Sequence, residues 1–529
     1  MSGGLRQAMT VLHTWGGLVL GWVLMAIFVA GTLAVFSPAI THWMSGEAAS
    51  APDAPIDRQA AIAAAGRFLA AAKTGDWRIE FPNLPGARLA IWTGDDWEED
   101  KPPTLVDPET GAIVAPGSDA ARAIETGMRE TAGGYHFIRF HYALHAGIFG
   151  IYIVGIATAA MLLAIVTGVI IHKRIFKDFF TLRFGKGQRS WLDGHNVASV
   201  LTLPFQVMIA YTGLAIFHYA WMPAAIAFHF GLPGGIEGQF DHVGPYFEAR
   251  HRVDAAVPAA GVESVSAERL PILAAEAERM SAGRAFLGAD RAIDEHGVVR
   301  FRLGVEPDPT RLPSDGVDLY QVADASGRLI PEPMAAAPGT ADTALDVMAN
   351  LHFASFGGLA ARWLWFLCGT AGCVMIATGL VLFTVKRRQR SRNEFGAATP
   401  HVFRVIEALN VGSIAGVLLA SIAYFWANRI IPAGVPDRAT MEIACFLLLW
   451  AATPVHALLR PVRRAWIEQL GLAALLAIAL PLVNAATTGN WFATYAVRAD
   501  WTAFGVEIVA VAFGIALALT TMRIARSPA

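Results

Sequence analysis

Long apolar runs alternate with polar connections along the chain, at about residues 14–37, 147–171, 196–217, 363–385, 402–427, 440–459, 466–486 and 501–521. Each approaches or exceeds the roughly 20 residues that an α-helix needs to cross a bilayer core. Two connections are far longer than the rest, about 40–135 and 220–350, and within them the pattern changes. In the first, the alanine-rich DRQAAIAAAGRFLAAAKTG (57–75) predicts a helix, and WRIEF, RLAIW and TLVDPETGAIV (104–114) predict strands. In the second, SAERLPILAAEAERM (266–280) is followed by the strand-like VVRFRLGV and LYQVADASGRLI (319–330). Both close on strand–turn–strand, with Asp107 and Gly111 in one turn and Asp324 and Gly327 in the other. The pattern predicts a mainly α-helical integral membrane protein with about eight transmembrane helices and two small α+β modules outside the membrane. The corresponding divisions are 1–46 (first helix), 47–135 (first module), 136–219 (helices two and three), 220–345 (second module), 346–390 (fourth helix) and 391–529 (a four-helix extension).

Composition agrees. Only 16% of the 529 residues are charged, 55% are hydrophobic and the mean hydropathy is +0.45, too apolar for an ordinary soluble protein. The net charge of −2 singles out no partner, and a nucleic acid is not expected. The basic clusters HKRIFKDFFTLRFGKGQR (172–189), KRRQRSR (386–392), RPVRR (460–464) and MRIAR (522–526) fall on one side of an eight-span arrangement, together with the N-terminus. That side is expected to be cytoplasmic, which places both termini inside and both modules in the periplasm of a bacterial inner membrane. Arg429 and Arg438, in the outer connection 427–440, run against this bias. The first span reads as an uncleaved anchor. Cys368, Cys373 and Cys445 all lie in apolar runs and form no CxxC site, so redox chemistry must use something other than thiols.

The chain repeats itself. LHTWGGLVLGWVLMAIFVAGTLAVF (12–36) resembles GHNVASVLTLPFQVMIAYTGLAIF (194–217), with Gly31 against Gly213, and a constant offset lays His13 on His195. VTGVIIHKR (166–174) resembles ATGLVLFTVKRR (377–388). Matching Thr167-Gly168 with Thr378-Gly379 lays His141 on His352. The repeated unit is span–outer module–span; residues 401–529 have no obvious counterpart.

Imidazoles in lipid ask for a reason. His13, His172 and His195 cluster at the inner ends of spans, and His141, His145 and His352 at the outer ends. Helix bundles build cofactor sites from inward side chains on facing helices, and neutral imidazole is a good iron ligand when its second nitrogen is fixed by an acceptor. Two axial histidines leave no open position, which suits electron transfer. The expectation is therefore two haems, of b type since no CxxCH occurs. His13 and His195 hold the inner one, with His172 competing; His352 holds the outer one with His141 or His145, whose i, i+4 spacing puts both on one helical face. Arg139 and Arg362 near the outer group, and Arg174 and Arg189 near the inner, are candidate propionate partners or interfacial anchors. Gly16, Gly17, Gly21, Gly357 and Gly358 could admit a close helix or a flat macrocycle. Against this stands the plainer reading that histidines at span ends simply sit at the wet interface. It covers His42, His136, His218, His229, His242, His251 and His296 well and the repeat-matched pairs poorly. Zinc or copper could use the same imidazoles, but no nearby Cys, Asp or Glu favours a zinc cage. One difficulty is length: 26 residues of straight helix from His141 to Thr167 would run about 39 Å, against a hydrocarbon thickness of about 30 Å.

LHTWGGLVLG, FHYALHAGIFGIYIVG…VTG and LHFASFGGLAARWLW…ATGL, with the two modules ending in LVDPETGAIV and QVADASGRLI, resemble the PepSY-associated transmembrane proteins of bacteria over about residues 5–390. The resemblance implies an inner-membrane protein, often iron-regulated, and some relatives are di-haem reductases of ferric siderophores. It lays His13, His195, His141 and His352 on family motif histidines; His145 and His172 are extra, and the four C-terminal spans depart from the minimal pattern. No G-x-G-x-x-G fingerprint occurs and the inner loops are too short for a flavin domain, so the electron donor would be a separate cytoplasmic reductase or a membrane quinol. Two rival classes use the same sequence differently: a haem-free peptide-binding or protease-regulating protein, and a siderophore or iron transporter using the C-terminal spans.

Overall fold

The computed structural model describes residues 3–46, 58–72, 76–81, 89–94, 103–106, 112–114, 129–172, 188–221, 267–293, 299–306, 310, 318–323, 329–331, 340–390 and 395–526. The chain begins with α1 (Gly3–Ala34) and a short α2 (Ser37–Ser45), then enters the outer module through α3 (Arg58–Ala72) and strands β1 (Trp77–Glu80), β2 (Leu89–Thr93), β3 (Thr104–Val106) and β4 (Ile113–Val114). It returns through α4 (Tyr135–Ala143), α5 (Gly147–Ile171), α6 (Gln188–Leu201), α7 (Leu203–Ile216) and a single turn, α8 (His218–Trp221). The second outer segment holds α9 (Leu270–Met280), β5 (Phe286–Ile293), β6 (Val299–Val305), β7 (Asp318–Ala323) and β8 (Leu329–Pro331). Then come α10 (Thr340–Phe353), α11 (Gly358–Arg390), α12 (Thr399–Val411), a π-helical turn at Gly412–Gly416, α13 (Val417–Ile430), α14 (Arg438–Leu459), α15 (Val462–Thr488), α16 (Phe492–Val497) and α17 (Trp501–Arg526).

Among the described residues seven helices are long and apolar enough to cross a membrane, and α6 with α7 makes an eighth if that pair, bent by 65°, is one span. The chain is a mainly α-helical membrane protein. The bend falls at Thr202, just before Pro204 in the first turn of α7. Proline has no N–H to continue the helical ladder across that point.

The length difficulty dissolves because the second span is two helices. Leu144 and His145 take left-handed backbone conformations (φ 51° and 54°), and Gly147 follows (φ 55°). The fourth span repeats the device, with Ala354 (φ 51°), Gly357 (φ 71°) and Gly358 (φ 57°) between α10 and α11. Each outer histidine therefore sits at the end of a short helix, just before a sharp turn into a membrane span.

The outer region departs from the expectation of two separate modules. The eight described strands form one sheet, ordered β4-β3-β2-β1-β5-β6-β7-β8. The seam is the antiparallel pair β1–β5, with Trp77 opposite Arg291 and Ile79 opposite Ala289. β1 would otherwise present an unpaired edge of N–H and C=O groups, and joining the halves removes two such edges. Helices α3 and α9 cover the sheet, with Ile62, Leu69, Leu270 and Leu273 packed against Trp77, Ile79, Phe286 and Phe301 in one core. The Asp107–Gly111 and Asp324–Gly327 turns, the stretch 173–187 carrying Arg174, and His229, His242, His251 and His296 lie outside the described residues.

Candidate functional site

Four of the singled-out histidines meet as two pairs. The His13 ring on α1 and the His195 ring on α6 have centroids 6.4 Å apart, with planes at 73°. His141 on α4 and His352 on α10 stand 6.1 Å apart, with planes at 34°. Each pair takes one imidazole from each half of the repeat.

Each ring is held through Nδ1. The His13 Nδ1–H donates to the Ala164 carbonyl at 2.9 Å, with the Thr167 hydroxyl 3.2 Å away. His195 donates to the Met375 carbonyl (2.8 Å) and His141 to the Ile27 carbonyl (2.9 Å). His352 donates to the Thr212 hydroxyl at 3.0 Å, whose own proton goes to the Met208 carbonyl. Carbonyls only accept, so Nδ1 carries the proton and Nε2 keeps a free lone pair. Among the described residues none of the four Nε2 atoms makes a hydrogen bond, and all four side chains are half-buried.

A glycine backs every ring. A Cβ added at Gly31 would lie 2.7 Å from the His141 ring, at Gly168 3.1 Å from His13, at Gly213 3.0 Å from His352 and at Gly379 3.1 Å from His195. Helix and imidazole can approach this closely only where no side chain intervenes. The repeat alignment already matches Gly31 with Gly213 and Gly168 with Gly379, but their contact with the histidines needed the fold. Every support belongs to the same half as the ring it supports, while every pair joins the two halves.

An imidazole nitrogen bonds a metal at about 2.0 Å and lies about 1 Å from its ring centroid, so one metal between two imidazoles sets the centroids about 6 Å apart. Both observed spacings agree with this. No third His, Cys, Asp or Glu joins either pair among the described residues, which disfavours a tetrahedral zinc cage. A metal whose other positions are filled by a macrocycle fits the donor set. Beside His13, a Cβ at Gly16 or Gly17 would meet no atom within 4 Å, so that wall is open. Gly31, against the outer pair, follows His13 in α1 by 18 residues. The two pairs are therefore roughly 27 Å apart along the helix axis.

The other two expected ligands are not in the pairs. His172 ends α5, its N–H bonded to the Gly168 carbonyl at 3.0 Å, close enough to both inner rings to interact electrostatically. His145 does not share a helical face with His141, because α4 stops at Ala143 and the left-handed turn swings it away. It stacks on His136 instead (4.9 Å, 13°), with His136 Nδ1 2.9 Å from His145 Nε2.

His136, expected at an interface or surface, is fully buried. Its ring lies against Tyr424 and Phe446 of the C-terminal bundle, 4.3 and 4.6 Å away. Burial, and then the neighbouring His145, push its pKa down to about 3, so it is neutral near pH 7. Burial and then the Arg139 charge also hold His145 below its ordinary value.

The C-terminal bundle also buries charge that the sequence did not reveal. Arg438 and Glu442 form a fully buried ion pair at 2.7 Å, and Glu442 also accepts from Thr131 (2.6 Å) and Asn428 (2.8 Å). Arg429 reaches the carbonyls of Trp43, Met44 and Gly46 at the end of α2, and Arg129 those of Asn428 and Arg429. The two arginines that ran against the charge bias thus sit inside protein, tying the bundle to both ends of the outer module's first half.

Comparison with known proteins places this architecture. An uncharacterized protein of Pseudomonas aeruginosa is 25% identical over 344 residues, covering 61% of this chain and 79% of that protein. The family described as the PepSY-associated TM region matches residues 10–386, a stretch that contains both histidine pairs and all eight strands. The chain belongs to the PepSY-associated transmembrane family.

Proposed function

We propose that the chain is a di-haem electron-transfer protein of the bacterial inner membrane, with both termini cytoplasmic, that reduces a ferric siderophore in the periplasm. The observation that carries this reading is the pair of repeat-related imidazole couples, 6.4 and 6.1 Å between centroids, each ring with Nδ1 tied down and Nε2 free. His13 and His195 would hold one b-type haem and His141 and His352 the other. When bound, that group would supply one-electron transfer.

The chain's own residues do the rest. The carbonyls of Ala164, Met375 and Ile27 and the Thr212 hydroxyl select the tautomer and aim each ring. The four glycines let helices close behind the imidazoles. One unbroken helix, α1, holds both sites at a set separation, which suits passage across a membrane. Siderophores bind iron(III) far more tightly than iron(II), so delivery of one electron to the chelate releases the metal without breaking the ligand.

The test is optical. Detergent-purified protein should show a Soret band, sharpened α and β bands on dithionite reduction, and two haems per chain by pyridine haemochrome. His13→Ala and His352→Ala should each remove one haem and leave the other. Folded protein that carries no haem, when expressed with ample haem supply, would overturn the proposal and favour a peptide-binding role for the outer sheet.

A further inference from the structure

A cavity of about 560 Å³ opens between the start of α12 and the start of α15, lined by Thr399, Phe403, Arg404, Glu407 and Arg463. It lies in the C-terminal extension, outside the matched family region, and the histidine pairs make no use of it. Three features give it a direction.

The first is depth. Trp22 of α1 donates to Asn410 of α12 at 2.7 Å, which fixes the two helices in register. His13 lies nine residues before Trp22 and Phe403 seven before Asn410, so both stand about 10–14 Å nearer the basic, inner side. The cavity is thus level with the inner histidine pair.

The second is a chain of aromatic contacts that runs from the cavity to α1 and α11. Phe403 in the cavity wall is 6.5 Å from Phe395 between ring centroids, and Phe395 is 6.1 Å from Trp15, two residues beyond His13. Phe383 lies a further 5.2 Å from Trp15. Conjugated rings in contact shorten the through-space gaps an electron must cross.

The third is the polar lining. Glu407 is only 7% exposed, and it shares the cavity with two guanidiniums. Arg404 is anchored on the Leu458 carbonyl and Arg463 on those of Ile524 and Ala525. The set offers one carboxylate acceptor and two fixed cationic donors. A phosphate headgroup would meet the two arginines but also the buried carboxylate, whose like charge opposes it. A neutral ring bearing hydroxyl groups at one edge and carbonyl oxygens after oxidation satisfies both.

We infer that this cavity binds the head of a membrane hydroquinone and is the entry point for electrons. The inference rests on the di-haem reading for where the electrons go. The hydroquinone breaks its two O–H bonds and becomes a quinone, losing two electrons and two protons. One proton passes to the Glu407 carboxylate and on to water at the inner surface; the other goes to water directly. The electrons leave one at a time by way of Phe403, Phe395 and Trp15 toward the His13–His195 site, and two iron(III) centres outside become iron(II).

The test uses full-length protein in phosphatidylcholine nanodiscs, with decylubiquinone as the binding probe and decylubiquinol as reductant. Binding is read by quenching of tryptophan fluorescence, with Trp15→Phe marking the share due to Trp15, and needs no haem turnover. Wild type should show saturable quenching, and Val462→Trp, which fills the cavity, should weaken it at least tenfold. Glu407→Gln should keep binding within about threefold yet slow haem reduction by decylubiquinol at least tenfold. Dithionite reduction should be unchanged in both variants, which shows that they are folded and loaded. Quenching that is non-saturable, or indifferent to Val462→Trp, would overturn the inference. So would quenching abolished by added phosphatidylglycerol, which would make the cavity a lipid headgroup site. Protein that binds the quinone but carries no haem would sink the di-haem reading and leave the binding site standing.

Discussion

Gly31→Ala isolates the outer histidine pair. The added Cβ would lie 2.7 Å from both Cε1 and Nδ1 of His141, against ordinary carbon contacts of about 3.5–4.0 Å. The ring must retreat by roughly 1 Å, and the bond from its Nδ1 to the Ile27 carbonyl must stretch with it. A metal bond of about 2.0 Å does not follow such a shift. Overpacking of this kind costs about 1–3 kcal/mol, which on the proposed di-haem reading is about 5- to 150-fold in retention of an outer haem. The helix itself should not suffer, since alanine in a helix interior is about 0.8–1.0 kcal/mol better than glycine. Loss of haem can therefore be separated from loss of fold. Haem per chain, measured by pyridine haemochrome on gel-filtered protein, should fall from two toward one, and the haem that remains should vanish when His13→Ala is added. Gly213→Ala should act in the same direction more mildly, because its contact with His352 is 3.0 Å. Gly4→Ala, with nothing within 4 Å, should leave the stoichiometry alone. Two haems retained in Gly31→Ala, with an unchanged reduced spectrum, would show that His141 is not a ligand.

Glu442→Gln leaves the fully buried Arg438 guanidinium without its counter-ion. A loss of about 3–5 kcal/mol is expected, seen as an early first transition in thermal unfolding in detergent. His136 should make stability pH-dependent: its pKa falls from 6.5 to about 3 on folding, so the unfolded chain takes up the proton first as pH drops. The penalty is absent above pH 6.5, reaches about 2 kcal/mol at pH 5 and levels off below about pH 3. Unfolding midpoints of His136→Phe should be flatter over that range, and an unchanged slope would exclude His136 as the source. Burial raises the Asp500 pKa, but hydrogen bonds from His42 (2.7 Å) and the Ala503 N–H (3.0 Å) outweigh it and hold the carboxyl below its ordinary value. Its contribution is present above pH 3.8 and lost as pH falls through the lowered value, a loss that Asp500→Asn should abolish in acid unfolding.

What could be read from the residues followed from what lipid demands. Twenty apolar residues in a row have few other uses, and a histidine that recurs at the same offset from a matched glycine, Gly31 with Gly213 or Gly168 with Gly379, stands out against that background. What could not be read depended on contacts distant in sequence. His145 was placed on the face of His141 because nothing in HYALHAG except Gly147 signals a break, and Leu144 in a left-handed conformation carries no such mark. His136 is buried in part because Tyr424 and Phe446, about 300 residues later, close over it. The single sheet depends on β1 meeting β5 across some 200 residues, and either edge alone would have looked like the rim of a finished module. Arg429 and Arg438 looked like loop cations in the wrong place; in the fold they bond backbone carbonyls and a buried carboxylate, where a charge rule for loops does not apply.

The two halves divide the labour of holding the rings. His13 rests on Gly168 and bonds Ala164; His141 rests on Gly31 and bonds Ile27, all within the first half. His195 rests on Gly379 and bonds Met375; His352 rests on Gly213 and bonds Thr212, all within the second. Each half thus presents two aimed imidazoles at opposite ends of its helices and can pair neither of them alone. Pairing needs the α1–α11 and α5–α7 contacts that bring the halves together, and the seam between β1 and β5 fastens the same two halves outside the membrane. A substitution that opened either seam would leave every ring with its own hydrogen bond and glycine intact, while moving both pairs apart together.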